Sequence, residues 1–299
     1  MHTGKWILLG ALCVLALYFI WRWWTYARAP AQRADKPRSG DFALGFVTNF
    51  FDTLGIGSFA PTTAYFKLRK RMPDEKIPGT LNVGHALPTV AQALVFIATV
   101  SVGVTTLISM IAAAVLGALL GAGVVTRLPR RPIQIGMGVA LLVAATLFVL
   151  SNLNLFPGGG EALELKGGLL IAAVAINFLL GVFMMLGIGL YAPCLILCSL
   201  LGMNPVAAFP IMMGSCAFLM PSSGLRFIAR DRYSLGAAFG LALGGIPAVL
   251  IAAYVVKSLP LVWLRWLVVV VVLIAAFVML RAAFGRAAPA ELAVQGEVR

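Results

Sequence analysis

The 299-residue sequence is 61% hydrophobic and 11% charged, where a soluble globular chain carries about 25% charged residues. A mean hydropathy of +0.99 excludes a water-soluble domain and a disordered chain alike, since neither can hide so much apolar surface. The formal charge of +13 falls almost entirely between long apolar runs, which orients helices in a bilayer and is not a nucleic-acid patch.

The four cysteines lie in apolar sequence, which argues against a disulfide scaffold. Stretches such as 268–280 are apolar at every position and lack the alternation of a transmembrane β-strand. The chain reads as an all-α integral membrane protein.

The first span is 6–24, with Trp21, Trp23 and Trp24 as an interfacial belt. It reads as an uncleaved anchor. The competing reading, a signal peptide cut near Ala27-Arg28-Ala29, would leave Pro30 as the new first residue. A basic linker follows with Arg28, Arg33, Lys36 and Arg38. Further apolar segments cover 42–66, 77–100, 104–125, 132–150, 168–201, 205–227, 235–256 and 261–280. Segment 42–66 is interrupted from Asp52 to Ser58 and again at Pro61. Segment 168–201 would be about 50 Å long as one helix, too long for a core of about 30 Å. It is interrupted by Gly187-Ile188-Gly189 and Pro193.

The two interruptions are copies. Leu54-Gly55-Ile56-Gly57-Ser58-Phe59-Ala60-Pro61 matches Leu186-Gly187-Ile188-Gly189-Leu190-Tyr191-Ala192-Pro193 at an offset of 132, which also superimposes Pro73 on Pro205 and Pro78 on Pro210. One residue of slippage then pairs Pro88 with Pro221 and Pro129 with Pro260. Such a repeat marks an internal duplication.

Lys and Arg set the orientation. If every segment crossed, loops 67–76 and 127–131, two of the most basic, would face outward. If 42–66 and 168–201 are re-entrant hairpins, the linker, loops 67–76, 127–131 and 226–232, and the tail with Arg281 and Arg286 all fall inside. Glu161, Glu164, Lys166 and Lys257 then stay outside. Each repeat becomes a broken-helix hairpin plus three transmembrane helices, an odd number of crossings, so the two repeats are inverted. Loop 67–76 is charged and its counterpart 199–208 carries no charge, as inversion requires. The expected organisation is an N-terminal membrane anchor and linker (1–41), repeat one (42–151), an external linker (152–167), repeat two (168–284) and a cytoplasmic tail (285–299). The location is a bacterial inner membrane, multi-pass, with the N-terminus outside and the C-terminus cytoplasmic.

Unwound backbone at membrane depth lines a cavity or is buried. Gly-Ile-Gly permits close approach and positive φ, and Pro61 and Pro193 suit the first residue of a second half-helix. By inversion those helices would point their N-termini at each other, which makes an anion site. The competing use of the glycines is tight helix packing. Lys67 lies only six residues after Pro61, so the first hairpin is shallow unless Lys67 snorkels.

These repeats resemble the sulfite exporter TauE/SafE family, also called the toluene sulfonate uptake permeases. In that family a proline followed by a Gly-Thr-Ser-like helix succeeds each break, and Pro78-Gly79-Thr80-Leu81-Asn82 and Pro210 with Gly214-Ser215 fit those positions. The resemblance covers roughly 42–284 and leaves the first span as an addition. It implies transport of sulfur-containing or organic anions such as sulfite, thiosulfate or a sulfonate.

The candidate substrate contacts are Asn49, Gly55, Gly57, Ser58, Thr80, Asn82, Gly187, Gly189, Cys194 and Ser215. The polar ones compete with a role as interhelical glue. Asp52 is a candidate proton-coupling carboxylate, against a cap at the break, and His85 a candidate proton relay, against a structural histidine. Cys194 and Cys198 share a helix face and Cys216 follows on the next helix. Thiols near an anion site could react, although packing is the default for buried cysteine. Arg265 reads as an outer-interface snorkeller. No Walker motif, Rossmann fingerprint, haem ligand set or metal spacing is present, so no cofactor and no metal are expected. The sequence points to a secondary anion transporter with proton coupling. A thiol-dependent membrane oxidoreductase and a passive anion channel are the alternatives.

Overall fold

The computed structural model describes residues 2–28, 35–155 and 160–255, with scattered helical positions between 269 and 284. Most of the 261–280 span, Lys257, Pro260, Arg265 and the tail from 285 lie outside the described residues. The described residues contain no strand, only an isolated bridge between Ala162 and Met203. Six helical stretches among the described residues, with Asp74–Thr99 counted as one, are long and apolar enough to cross a membrane.

Helix α1 (His2–Ala27) is followed by α2 (Ser39–Thr53), α3 (Phe59–Leu68), α4 (Ile77–Gly84), α5 (Ala86–Thr99), α6 (Val104–Val125) and α7 (Arg130–Asn152). The second series is α8 (Gly167–Met184), α9 (Tyr191–Leu200), α10 (Pro205–Ala229) and α11 (Leu235–Val255). The bounds of α3 and α9 differ by 132 at both ends. Pro61 and Pro193 are therefore the third residues of their helices, not the first. The first turn tolerates this because its N–H groups have no helical acceptor. The segment expected as one span at 77–100 bends at His85. Pro88 cannot bond back to Gly84 and its ring crowds that carbonyl, so the helix restarts at Ala86. In α10 the prolines Pro210 and Pro221 are absorbed without a break.

The most extensive helix pairings are α2 with α11 and α6 with α8. Under the 132-residue offset α2 corresponds to α8, and α6 to α11, so exchanging the repeats maps one pairing onto the other. Both pairings depend on a missing side chain. A Cβ at Gly117 would lie 2.0 Å from the Phe178 carbonyl oxygen, and one at Gly244 2.1 Å from that of Phe42.

The loops sort into two ends. At one end Arg71 pairs with Asp41, Lys76 with Asp231, and the Ser234 hydroxyl donates to Asp35. Gln134, in the second turn of α7, donates to Asp74 there. At the other end the Gly160 N–H donates to Met203 O, the Gly103 N–H to Leu163 O, and Lys5 Nζ to Val100 O. Consequently the entry of α2 and the exit of α3 lie together, as do the entry of α8 and the exit of α9. Lys67 does not reach outward. Its Nζ is 2.5 Å from the buried Asp74 carboxylate.

Candidate functional site

Both breaks begin with the same turn. In the first, the Gly55 N–H donates to Asp52 O at 2.9 Å and the Ile56 N–H to Phe51 O at 3.1 Å. In the second, Gly187 donates to Met184 O at 3.0 Å and Ile188 to Phe183 O at 3.4 Å. This is a Schellman C-cap, which needs a left-handed residue. Gly55 and Gly187 supply it with φ of +87° and +95°. The copies then diverge: Gly57 also has φ +87°, whereas Gly189 is absent from the positive-φ positions.

The first helical bond of α3 runs from the Thr62 N–H to Ser58 O, and that of α9 from the Cys194 N–H to Leu190 O. The N–H groups of Phe59, Ala60, Tyr191 and Ala192 thus lack helical acceptors. All four residues line one small cavity of about 30 Å³ between the breaks, together with Gly57 and Gly189. The breaks are therefore face to face. A second cavity of about 20 Å³ lies beside it, lined by Asp52, Gly57, Ser58, Thr89, Gly189, Tyr191 and Cys216.

Asp52, at the end of α2, is 3% exposed. Its Oδ2 accepts from Gln92 Nε2 at 2.9 Å, and the same nitrogen lies 3.1 Å from Thr53 Oγ1. The Gln92 Oε1 in turn accepts from the Tyr191 hydroxyl of α9. The position matching Asp52 in the second repeat is Met184, so the carboxylate belongs to one repeat alone.

His85 sits at the bend between α4 and α5 and is fully buried. Asn49 Nδ2 donates to Gly45 O at 2.7 Å, so its Oδ1 faces His85 Nδ1 at 3.0 Å. That assigns the ring proton to Nδ1 and leaves Nε2 to accept from the Thr62 hydroxyl at 3.1 Å. A neutral imidazole satisfied at both nitrogens ties α2, α3 and the bend together.

The remaining candidates lie elsewhere. Thr80 donates to Lys76 O at 2.8 Å and accepts from the Ser234 N–H at 2.9 Å. Asn82 donates to Pro78 O. Ser215 accepts from Asn177, which also donates to Met110 O and so stitches α8 to α6 and α10. Cys194 lies beside Cys198, and the Cys216 thiol approaches Met184 Sδ at 3.7 Å. All three cysteines are buried. Among the described residues no group of three or more His, Cys, Asp or Glu could hold a metal.

Sequence reasoning missed Gln92, Tyr191 and Thr62. A signal existed for the first: His85 just ahead of α5, with Thr89 and Gln92 inside it, forms a polar stripe at helical spacing in mostly apolar sequence. Tyr191 offered only a hydroxyl where its repeat partner is Phe59.

The family model of the Sulfite exporter TauE/SafE family matches residues 2–148. The match takes in α1 and stops within α7, whereas the resemblance read from the sequence begins at 42 and runs to 284. The first span is thus inside the matched region and not an addition to it. No curated protein and no solved structure matches the chain. The family match and the apolar helices support a membrane permease.

Proposed function

We propose that the chain is a secondary carrier for a small sulfur-containing or organic anion, such as sulfite, thiosulfate or a sulfonate. It works by alternating access between inverted repeats in a bacterial inner membrane and is coupled to protons through Asp52. The observation that carries this reading is the meeting of the two breaks. Two helix N-termini whose first N–H groups have no helical acceptor border one cavity beside a single buried carboxylate. Helix N-termini favour anions, and a buried carboxylate beside such a site is where a co-transported proton would reside. Contact between Asp41 and Arg71 at one end, and between Gly160 and Met203 at the other, supports hairpins that return to their starting face. The basic end, with Arg38, Arg69, Arg71 and Arg230, would then be cytoplasmic.

Uptake of radiolabelled sulfite, thiosulfate and toluenesulfonate into proteoliposomes tests the reading. A carrier gives saturable uptake that counterflow accelerates and an inward proton gradient changes. Flux that stays linear with concentration would indicate a channel. Transport lost on thiol reduction or oxidation would favour chemistry at Cys194, Cys198 and Cys216.

A further inference from the structure

Gln92 stands where the two repeats meet. Its Nε2 faces Asp52 and Thr53 at the end of α2, and its Oε1 accepts from Tyr191 at the start of α9. One α5 side chain thereby links the first break to the second. The amide cannot turn over while Asp52 is ionised, because a carboxylate only accepts and must face the NH2 group. Oε1 is then left for Tyr191.

The surroundings make this link sensitive to a proton. The Ser58 backbone N–H and hydroxyl also face the carboxylate, and the Tyr191 hydroxyl reaches it as well as Gln92. Adding a proton turns one of the carboxylate's acceptor sites into a donor, and on Oδ2 that donor opposes the Gln92 Nε2 contact. The titratable groups that face Asp52 are Tyr191 from α9 and Cys216 from α10. From α5 come only Thr89 and Gln92, and no lysine or arginine lines the cavity. The cavities at the breaks are small, about 30 and 20 Å³, where pockets for small-molecule ligands run to about 300–1,000 Å³. The breaks must part before an anion of several heavy atoms can enter.

We propose that Gln92 and Tyr191 are positioning residues that couple the two breaks to Asp52. A proton taken up on Asp52 frees the Gln92 amide, the amide frees Tyr191, and the second break separates from the first. This rests on Asp52 being the coupling carboxylate.

The test uses the full chain in lipid nanodiscs with Cys13→Ser, which removes the exposed cysteine and leaves three buried ones. Spin labels go on Leu68→Cys and Leu200→Cys, exposed positions at the ends of α3 and α9, and electron–electron distances are measured near pH 8 and near pH 5. The parent should shift its distance distribution by several ångströms on acidification. Tyr191→Phe and Gln92→Leu should show the acid distribution at both pH values, as should Asp52→Asn. A parent distribution that does not change with pH, or a Tyr191→Phe protein that responds as the parent does, overturns the proposal. If Asp52→Asn alone abolishes the response, the relay fails and the coupling role of Asp52 stands. If Asp52→Asn still responds, both fail.

Discussion

Arg71 grips Asp41 through two bonds, Nη2 to Oδ2 at 2.9 Å and Nε to Oδ1 at 3.1 Å. Asp41 lies in the first turn of α2 and accepts from the Arg38 N–H at 2.9 Å. Arg71 lies just beyond α3. The pair is therefore a clasp across the two ends of the first hairpin, and the hydrogen bonds to Asp41 hold the Arg71 guanidinium above its ordinary pKa. At the second hairpin, among the described residues, its counterpart is a set of backbone bonds between 160–162 and 202–204.

Removing Arg71 leaves the buried Asp41 carboxylate without its cation, and a lost charge-assisted hydrogen bond costs about 1.5–3 kcal/mol. Arg71→Ala should lower the thermal midpoint in detergent sharply. Arg71→Lys, which keeps the charge and loses the two-pronged geometry, should lower it less. Equal midpoints for Arg71→Ala and the parent would show that the clasp contributes nothing.

Exposed single cysteines in the Cys13→Ser chain report the sidedness. Arg69→Cys and Arg127→Cys should react with an impermeant maleimide only from the cytoplasm, and Glu161→Cys only from outside. Reaction of both 69 and 127 only from outside would mean that α2 and α3 together cross the membrane, and the inverted arrangement would fall.

The two Gly-Ile-Gly copies should respond differently to substitution. The sequence suggests that Gly57 and Gly189 are both needed for close approach. A Cβ at Gly57 meets nothing within 4 Å, and one at Gly189 meets only Phe59 Cβ at 3.8 Å. What restricts Gly57 is its φ of +87°. Gly57→Val should therefore cost about 1–3 kcal/mol in backbone strain and abolish uptake in proteoliposomes. Gly189→Ala should stay within about 0.5 kcal/mol of the parent. Loss of folding in Gly189→Ala would contradict this geometry.

Asp52→Asn keeps the size of the side chain and removes the charge. It should retain anion binding in detergent, followed by thermal shift with sulfite, while uptake loses its dependence on an imposed pH gradient. A normal pH response in this variant would remove Asp52 from coupling and leave the anion cradle standing.

Thr62→Val should leave His85 Nε2 buried without a donor, at a cost of about 1–3 kcal/mol. Thr62→Ser should restore most of the midpoint, since the hydroxyl alone makes the bond. If valine and serine behave alike, the hydroxyl is not what holds the imidazole.

By itself the sequence determined the environment, most of the helices and the two duplicated breaks. Apolar composition leaves a chain no solvent but lipid, and lipid demands backbone bonds made within each segment. A Gly-Ile-Gly turn is local, so its need for positive φ, and its recurrence at 132, were legible residue by residue. What the sequence left open was which side chains meet. Thr80, Asn82 and Ser215 read as ligands from their place in a motif, yet short polar side chains in apolar helices can close on backbone carbonyls or neighbouring side chains, as these do. Asp52, Gln92 and Tyr191 lie 40 and 99 residues apart along the chain. Only the packing of α5 between the two breaks brings them together, because burial leaves each of those polar groups no partner but another.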